Sequence, residues 1–479
     1  MMTPMLTYQS ITVTLKRACR LSIVATTGLI LATTLPATGF AQSDDNVTAT
    51  VSELPDYVID AFGEPPAVPT DPLSDEIKDA LDSAFIDSVT DSTWGRDQEI
   101  AMDTINNSGD PRLAWIVSDM MRFMSQPGLN QLFGESATAL LGINFDDGNV
   151  WGKTTDHLMA WDIPAPPDYL TYKRAIFTNF VPGWEKIFVE GDIDWRHVSW
   201  GGVLIDDRAY DTTDEACNCI PAADNPEVSN AQDATWLDDD DIVFGVAVNG
   251  EYRAYPRRIM EVREMVNDTL GGRHLGIPYC TLCGAAQAWF TDELPEGVER
   301  PVLRTSGLLI RSNKVMYDLT THSVMDTFRG NAVTGPLADI GFKLKQASVV
   351  TTEWGRWKQA HPDTTVLVEE LALGRDFDFR NSRDADGPIF PVGNVDPRLS
   401  VHEDIVGVIN TDGQAIAFQR SKAMSALLNG DDISVGDIIL QLEGGGIKAS
   451  NEAGDELGSH EAFWFAWSQF YPQTELWPM

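Results

Sequence analysis

The sequence predicts an α+β protein, with an N-terminal, HEAT-like helical domain followed by a duplicated β-rich domain of hairpins and short helices. Three observations predict this fold class. Apolar residues between 73 and 141 recur at helical spacing. Two hairpin signals, Asn249-Gly250 and Asp412-Gly413, lie in the second half of the chain. Each hairpin is followed by a short apolar-periodic stretch and later by a Trp-x-x-Trp motif.

The helical domain is predicted over residues 73–141. Ile77, Leu81 and Phe85 fall on one helical face. The Gly109–Arg112 segment then interrupts the pattern, and Pro111 suits the first turn of a new helix. Paired helices with such a break resemble HEAT-type repeats.

The duplication is predicted from two motifs that recur in the same order. The hairpin segments 241–255 and 404–418 match each other, as do the motifs that begin at Trp354 and Trp464. These matches predict a first β-rich repeat over residues 236–399, which includes an acidic loop, and a second, shortened repeat over residues 400–479. Residues 142–235, rich in Trp and Pro, are predicted to form an irregular connector.

Residues 1–41 have the features of a signal peptide. Lys16, Arg17 and Arg20 precede the apolar stretch 21–35, and small residues up to Ala41 offer a cleavage site. Residues 42–72, rich in Asp, Pro, Thr and Ser, are predicted to be a flexible lead-in. The sequence therefore predicts a periplasmic or secreted protein with no membrane span after cleavage.

The chain is strongly acidic. Its formal net charge of −38 becomes about −41 once the three positive charges of the leader are removed. Such a charge repels nucleic acid and keeps an exported protein soluble. We therefore expect no nucleic-acid partner; the partner is an unidentified small molecule or protein.

The candidate functional site is the motif Cys280-Thr-Leu-Cys283-Gly284. A Cys-x-x-Cys-Gly turn can present two thiolates to a metal ion. It can also act as a redox dithiol, in which the first Cys attacks and the second resolves the mixed disulfide. A third hypothesis is a purely structural disulfide. The strand-like residues on both sides of the motif differ from the helix N-terminus that a thioredoxin-type motif uses.

Further metal ligands are predicted among four residues. Cys217 and Cys219, separated by one residue, are expected to share an ion or to bond elsewhere rather than to each other. Four thiolates would suit zinc or iron, whereas two thiolates with Met316 or His322 would suit copper. A transition metal, of zinc, copper or iron, is therefore the predicted cofactor.

A set of motifs around the Cys pair resembles the bacterial domain of unknown function 3179 family. The resemblance is carried by the segment from Gly250 to Pro256, the Met265-Val-Asn-Asp268 segment, the Tyr279–Gly284 motif and Met316-Tyr-Asp318. It continues to the C-terminus. The usual motif of the family has Pro where this chain has Thr281, and its usual His is replaced by Arg263. The resemblance implies domain boundaries and a site location, and it implies no reaction.

The leading functional hypothesis is an extracytoplasmic metal-binding or thiol-active protein centred on Cys280 and Cys283, whose reaction the sequence does not identify. Its predicted pocket residues are Tyr279, Asn267, Asp268, Tyr317 and Asp318. One alternative is a non-catalytic binding or assembly protein with structural disulfides. Another is a cysteine-dependent hydrolase. The sequence leaves open whether the protein is an enzyme.

Overall fold

The computed structural model describes residues 54–145, 148–212, 217–369 and 387–478. The predicted signal peptide, the first part of the lead-in and the acidic residues of the loop between 376 and 386 lie outside these ranges. Val51–Met479 forms one compact unit by its internal contacts.

The N-terminal region is helical, and its helices begin and end where local sequence signals place them. Ser74 caps the second helix by accepting a hydrogen bond from the backbone N–H of Ile77 at 3.3 Å. Gly109 and Gly142 end two other helices in the left-handed conformation. The helices are α1 (Asp56–Phe62), α2 (Asp75–Asp82), α3 (Ser88–Thr90), α4 (Arg96–Ser108), α5 (Ala114–Met121), α6 (Pro127–Leu141), α7 (Val150–Ala160) and α8 (Tyr169–Phe180), with a π-helical turn at Ser83–Asp87 before α3.

Helix α5 is the centre of this helical region. Every residue of α5 is buried, and the helix contacts α6, α7 and α8. Its one acidic residue, Asp119, is neutralised by Lys173 of α8 at 2.6 Å. Helices around a buried central helix form a bundle, unlike the row of stacked pairs in HEAT repeats. Residues 142–235, predicted as an irregular connector, contribute α7 and α8 to this bundle.

The strands follow in the order β1 to β23. They are β1 (Val198–Trp200), β2 (Ala223–Asp224), β3 (Val228–Asn230), β4 (Ile242–Val248), β5 (Glu251–Pro256), β6 (Met265–Leu270), β7 (Arg273–Cys280), β8 (Ala285–Ala286), β9 (Ala288–Phe290), β10 (Leu303–Ile310), β11 (Asn313–Asp318), β12 (Val324–Asp326), β13 (Lys345–Ala347), β14 (Val350–Glu353), β15 (Thr365–Leu367), β16 (Asp404–Ile409), β17 (Ala415–Gln419), β18 (Ile433–Val435), β19 (Ile438–Glu443), β20 (Gly446–Ser450), β21 (Glu456–Leu457), β22 (Ser459–Phe463) and β23 (Glu475–Trp477). Short helices α9 (Arg257–Arg263), α10 (Gly335–Asp339), α11 (Trp354–Ala360), α12 (Arg420–Leu428) and α13 (Trp464–Phe470) lie between them.

These strands form five sheets. Sheet A has the order β1-β10-β11-β12, and sheet B has the order β13-β9-β7-β6-β2 with β8 paired to β7. Sheet C has the order β14-β4-β5-β15-β3. Sheet D has the order β22-β16-β17-β23, and sheet E has the order β18-β19-β20-β21. The C-terminal region is thus a five-bladed β-propeller that follows the helical region.

The prediction of a duplicated β-rich domain is therefore wrong. The hairpin and the Trp motif of the first predicted repeat accompany a single sheet, C. Those of the second predicted repeat accompany a single sheet, D. Each repeat's motifs thus mark one sheet rather than one domain. Strands β6–β13 form most of two further sheets, A and B, and β18–β21 form sheet E. The sequence motifs describe two blades well, but they carry no signal for the other three.

Sheets C and D share their strand order and strand directions. In both, two antiparallel pairs are followed by one parallel pair, β5 with β15 and β17 with β23. A tryptophan covers a glycine in each: a Cβ at Gly245 would lie 2.3 Å from Trp357, and one at Gly407 would lie 2.1 Å from Trp467.

The helical region packs on sheet A. Leu308, Val315 and Tyr317 of this sheet belong to the same apolar core as the helices. Trp184, after α8, donates a hydrogen bond from Nε1 to the backbone oxygen of Ser306 at 2.7 Å. Across the described part of the chain, no helix combines the length and apolar character that crossing a membrane requires.

Candidate functional site

The Cys motif forms the turn between β7 and β8. Cys280 is the last residue of β7 and pairs with Ala285 of β8. The backbone N–H of Cys283 donates to the carbonyl of Cys280 at 3.2 Å, which closes the turn. Gly284 has a φ of +61°, a conformation that favours glycine. The motif therefore lies in a β-hairpin, as the strand-like flanking residues predict.

Both cysteines are buried and unbonded, and their sulfur atoms lie 2.7 Å apart. A disulfide needs a separation of about 2.05 Å, so a small rotation would join them. The turn between β10 and β11 supplies the other contacts. The Cys283 thiol is within donating distance of the backbone oxygen of Ser312, at 3.5 Å, and of Asn313 Oδ1, at 3.2 Å. The backbone N–H of Lys314 donates to Cys280 Sγ at 3.5 Å.

The two thiols differ in their pKa. Burial alone would raise the pKa of Cys280, but hydrogen bonds from the Cys283 thiol and the Lys314 backbone N–H outweigh it, and the pKa is lowered. Burial, together with the neighbouring Cys280 sulfur, raises the pKa of Cys283 well above its ordinary value. Because the thiolate is the nucleophilic form, this difference in pKa favours Cys280 as the nucleophile of the pair.

A cavity of about 80 Å³ adjoins Cys280. Cys280 is among the residues that line it and Cys283 is not, within the described part of the chain. The lining is mostly apolar and includes Val203, Ile220, Leu282, Leu308 and Leu309. Of the two cysteines, Cys280 is therefore the one that borders this cavity.

Among the described residues that line this cavity, the charged ones are Glu264 and Lys314, and neither is predicted as a site residue from the sequence. Lys314 Nζ lies 2.8 Å from Glu264 Oε2 and donates to the Glu264 backbone oxygen at 2.6 Å. Lys314 sits in a strand whose residues are all buried. Lys314 could have been identified from the sequence, because it is an ionisable residue in the short segment between Asn313 and Asp318.

Cys217 and Cys219 are bonded to each other in the structure. This differs from the expectation that they would share an ion or pair elsewhere. Asn218 occupies a bend that brings their Cα atoms to 5.1 Å, a separation that a disulfide spans. In this form neither sulfur is a thiolate that could join Cys280 and Cys283 as a metal ligand.

Met316 and His322, the other predicted ligands, lie away from the pair. Met316 packs in an apolar core with Met265 and Trp289, a different cluster from that of the cysteines. His322 lies in the turn after β11, whereas Cys280 contacts the opposite end of that strand. Within the described residues, no group of three or more His, Cys, Asp or Glu side chains could hold a metal ion.

Two of the predicted pocket residues hold neighbouring strands together. Asn267 Nδ2 donates to Asp224 Oδ1 at 2.9 Å and to the backbone oxygen of Leu303 at 3.0 Å. Asp268 forms an ion pair with Arg253 at 2.6 Å. Neither residue lines the cavity beside Cys280. Their polar groups are used to join strands of sheets A, B and C.

The other three predicted pocket residues also point elsewhere. Tyr279 precedes Cys280 on β7, but its ring packs against Phe244 with a centroid distance of 4.9 Å. Tyr317 donates from its hydroxyl to the backbone oxygen of Asp206 at 2.7 Å. Asp318 accepts hydrogen bonds from the turn that follows it. Because neighbours on a strand face opposite sides, Tyr279 and Cys280 belong to different cores.

The Cys turn is held from a third side by sheet D. The backbone N–H of Phe463, at the end of β22, donates to the Cys283 carbonyl at 2.8 Å. The same phenylalanine ring covers the turn, because a Cβ at Gly284 would lie 3.0 Å from it. The two cysteines therefore sit where sheets A, B and D meet.

Comparison with known proteins supplies a family and no activity. Residues 217–449 match the family described as "Protein of unknown function (DUF3179)". This match contains the Cys turn, Glu264 and Lys314, and it ends before the C-terminus, to which the resemblance was expected to run. No curated protein and no solved structure matches the chain. The predicted resemblance to the DUF3179 family is confirmed over residues 217–449.

Proposed function

We propose that the protein is a thiol-active protein in which Cys280 and Cys283 cycle between a dithiol and a disulfide. The observation that carries the proposal is the asymmetry of the pair. Cys280 lines the cavity and has a lowered pKa, whereas Cys283 lies next to Cys280 and has a raised pKa. A nucleophilic thiol at a cavity, next to a resolving thiol, is the arrangement that disulfide exchange uses.

The proposed reaction is exchange with a small disulfide. The Cys280 thiolate attacks one sulfur, forms a mixed disulfide and releases the other half of the substrate as a thiolate. Cys283 then loses its proton and attacks Cys280 Sγ, which releases the second thiolate and leaves a Cys280–Cys283 disulfide. One substrate disulfide is thus reduced to two thiols while the protein dithiol is oxidised. The predicted export of the chain would place it where disulfides persist.

A transition-metal site at the same two sulfurs is the alternative that the sequence predicts. The structure brings no third His, Cys, Asp or Glu side chain to them within the described residues. Glu264 and Lys314 pair with each other beside Cys280 instead. Thiol exchange needs only the two cysteines, so the contacts favour it over a metal centre.

A redox titration of the exported protein tests the proposal. The protein is equilibrated at defined ratios of reduced to oxidised dithiothreitol or glutathione, alkylated, and analysed by peptide mass. We expect the peptide with Cys280 and Cys283 to change as one two-electron couple, with a midpoint between about −300 and −120 mV. Zinc, copper and iron are measured on the same sample. A metal that protects both thiols, or a pair that stays oxidised below about −300 mV, would contradict the proposal.

The Glu264–Lys314 pair provides a second prediction, on the pH dependence of Cys280. Glu264 raises the pKa of Cys280 through its charge, and Lys314 lowers it. Glu264→Gln is therefore expected to shift the alkylation rate of Cys280 to lower pH, and Lys314→Met to higher pH. The measurement is the alkylation rate of the reduced protein between pH 5 and 10, compared with the ordinary thiol midpoint of about 8.5.

Lys345→Met is the matched control, because Lys345 is mostly exposed and pairs with Glu293 rather than Glu264. Its profile should coincide with that of the unmodified protein. Shifts of Glu264→Gln and Lys314→Met in the same direction would show that their charges do not act on the Cys280 thiolate.

A further inference from the structure

A second cavity, of about 260 Å³, borders Ile310 and Arg311 at the β10–β11 turn. It is lined by polar and charged side chains, among them Arg311, Arg329, His197, Asp326 and Gln469. Neither the thiol chemistry nor the family match accounts for it. Its polar lining contrasts with the apolar lining of the cavity beside Cys280.

Arg311 is the central feature of this second cavity. Its Nη1 donates to the backbone oxygen of Val392 at 3.1 Å, and its Nη2 lies 3.0 Å from His197 Nε2. Both partners are neutral acceptors, since burial, followed by the charge of Arg311, lowers the pKa of His197 to about 3. Among the described residues, no carboxylate lies within ion-pair distance of the guanidinium. Burial lowers the pKa of Arg311, and the charges of Asp194 and Asp162 only partly oppose this effect.

The carboxylates around the cavity are engaged or lie at its rim. Asp194 accepts a two-point contact from Arg196, at 2.6 Å and 3.0 Å. Asp326 accepts backbone N–H groups from its own turn, and burial raises its pKa. Asp192 is exposed. Arg311 therefore has no direct ion-pair partner among the described residues, and the acids around the cavity would repel a dianion.

We propose that this cavity binds a small monoanionic carboxylate, whose carboxylate group pairs with Arg311. A guanidinium forms two parallel hydrogen bonds with a planar carboxylate, and Arg311 uses only two of its five N–H groups on protein acceptors. Gln469 Oε1, also at this cavity, has no donor among the described residues. It offers an acceptor to a hydroxyl or amino group on the ligand. The proposal is independent of the thiol chemistry.

The test measures binding of three probes by calorimetry at pH 8. The probes are glycolate, a monoanion with a hydroxyl group, glycolamide, its neutral counterpart, and inorganic phosphate, which is mainly a dianion at this pH. We expect glycolate to bind and the other two to bind more weakly or not at all. Arg311→Gln should weaken glycolate binding at least about twentyfold, as loss of one partner of a desolvated charge pair does.

Two further variants control for folding and for charge. Arg356→Gln removes an arginine that is half exposed and pairs with Glu353, and glycolate should bind this variant as it binds the unmodified protein. Arg311→Lys keeps the charge without the planar fork, so we expect intermediate affinity. Absence of glycolate binding, preferential binding of phosphate, or equal binding by Arg311→Gln and the unmodified protein would each overturn the proposal.

Discussion

Replacement of Cys283 by serine is expected to trap the protein as a mixed disulfide. In the unmodified protein, hydroxyethyl disulfide should release two thiols, because Cys283 resolves the adduct on Cys280. In Cys283→Ser the adduct should persist, with one thiol released and one hydroxyethylthio group per chain by mass. In Cys280→Ser, the buried Cys283 with its raised pKa should react at least about a hundredfold more slowly.

The contrast between these two variants is the decisive result. Both lose one sulfur from the same turn, so a general disturbance of the turn would affect them alike. Cys217 and Cys219 are bonded to each other and serve as an internal reference, since their peptide should be unmodified in every sample. The opposite outcome is that Cys283 in the Cys280→Ser variant forms adducts as fast as Cys280 in the Cys283→Ser variant. The two thiols would then have no distinct attacking and resolving roles.

Arg304→Met is expected to cause the largest loss of stability among single changes near the site. Arg304 is fully buried, and its guanidinium contacts Asp224 at 2.5 Å and Asp206 at 3.6 Å. Loss of one partner from a buried ionic cluster leaves uncompensated carboxylates and costs about 3–5 kcal/mol. Urea unfolding of the two proteins side by side gives the difference in the free energy of unfolding.

Arg273→Met is the matched control for that measurement. Arg273 also pairs with two acids, Asp292 and Glu293, but this cluster is partly exposed. Exposed ion pairs contribute about 0–1 kcal/mol, so we expect a small change. Similar losses for both variants would mean that the Arg304 cluster is no more important than a surface pair.

The sequence located the Cys pair but did not predict its surroundings. Cys280 and Cys283 lie in a local motif, and local spacing is visible in a sequence. Glu264 lies between α9 and β6 and Lys314 lies in β11, and only the packing of sheets A and B brings them to Cys280. The polar residues that were predicted beside the pair, such as Asn267 and Asp268, are used in pairing between strands instead.

The fold was predictable in its elements and not in its architecture. The helices of the N-terminal region and the hairpins at Asn249-Gly250 and Asp412-Gly413 follow from periodicity and turn chemistry. The five sheets do not, because their partners are distant along the chain: β1 pairs with β10, and β4 pairs with β14. The Cys217–Cys219 disulfide was also not predicted, because it depends on the bend at Asn218 that brings the two Cα atoms together.

The contact between Phe463 and the Cys turn has a consequence for biosynthesis. The last strand that holds the turn lies 180 residues after Cys283, near the end of the chain. A ribosome-bound or truncated chain that ends before Phe463 has both cysteines, but it lacks the ring and the backbone N–H that enclose them. Synthesis as far as Phe463 therefore has to precede full enclosure of the pair.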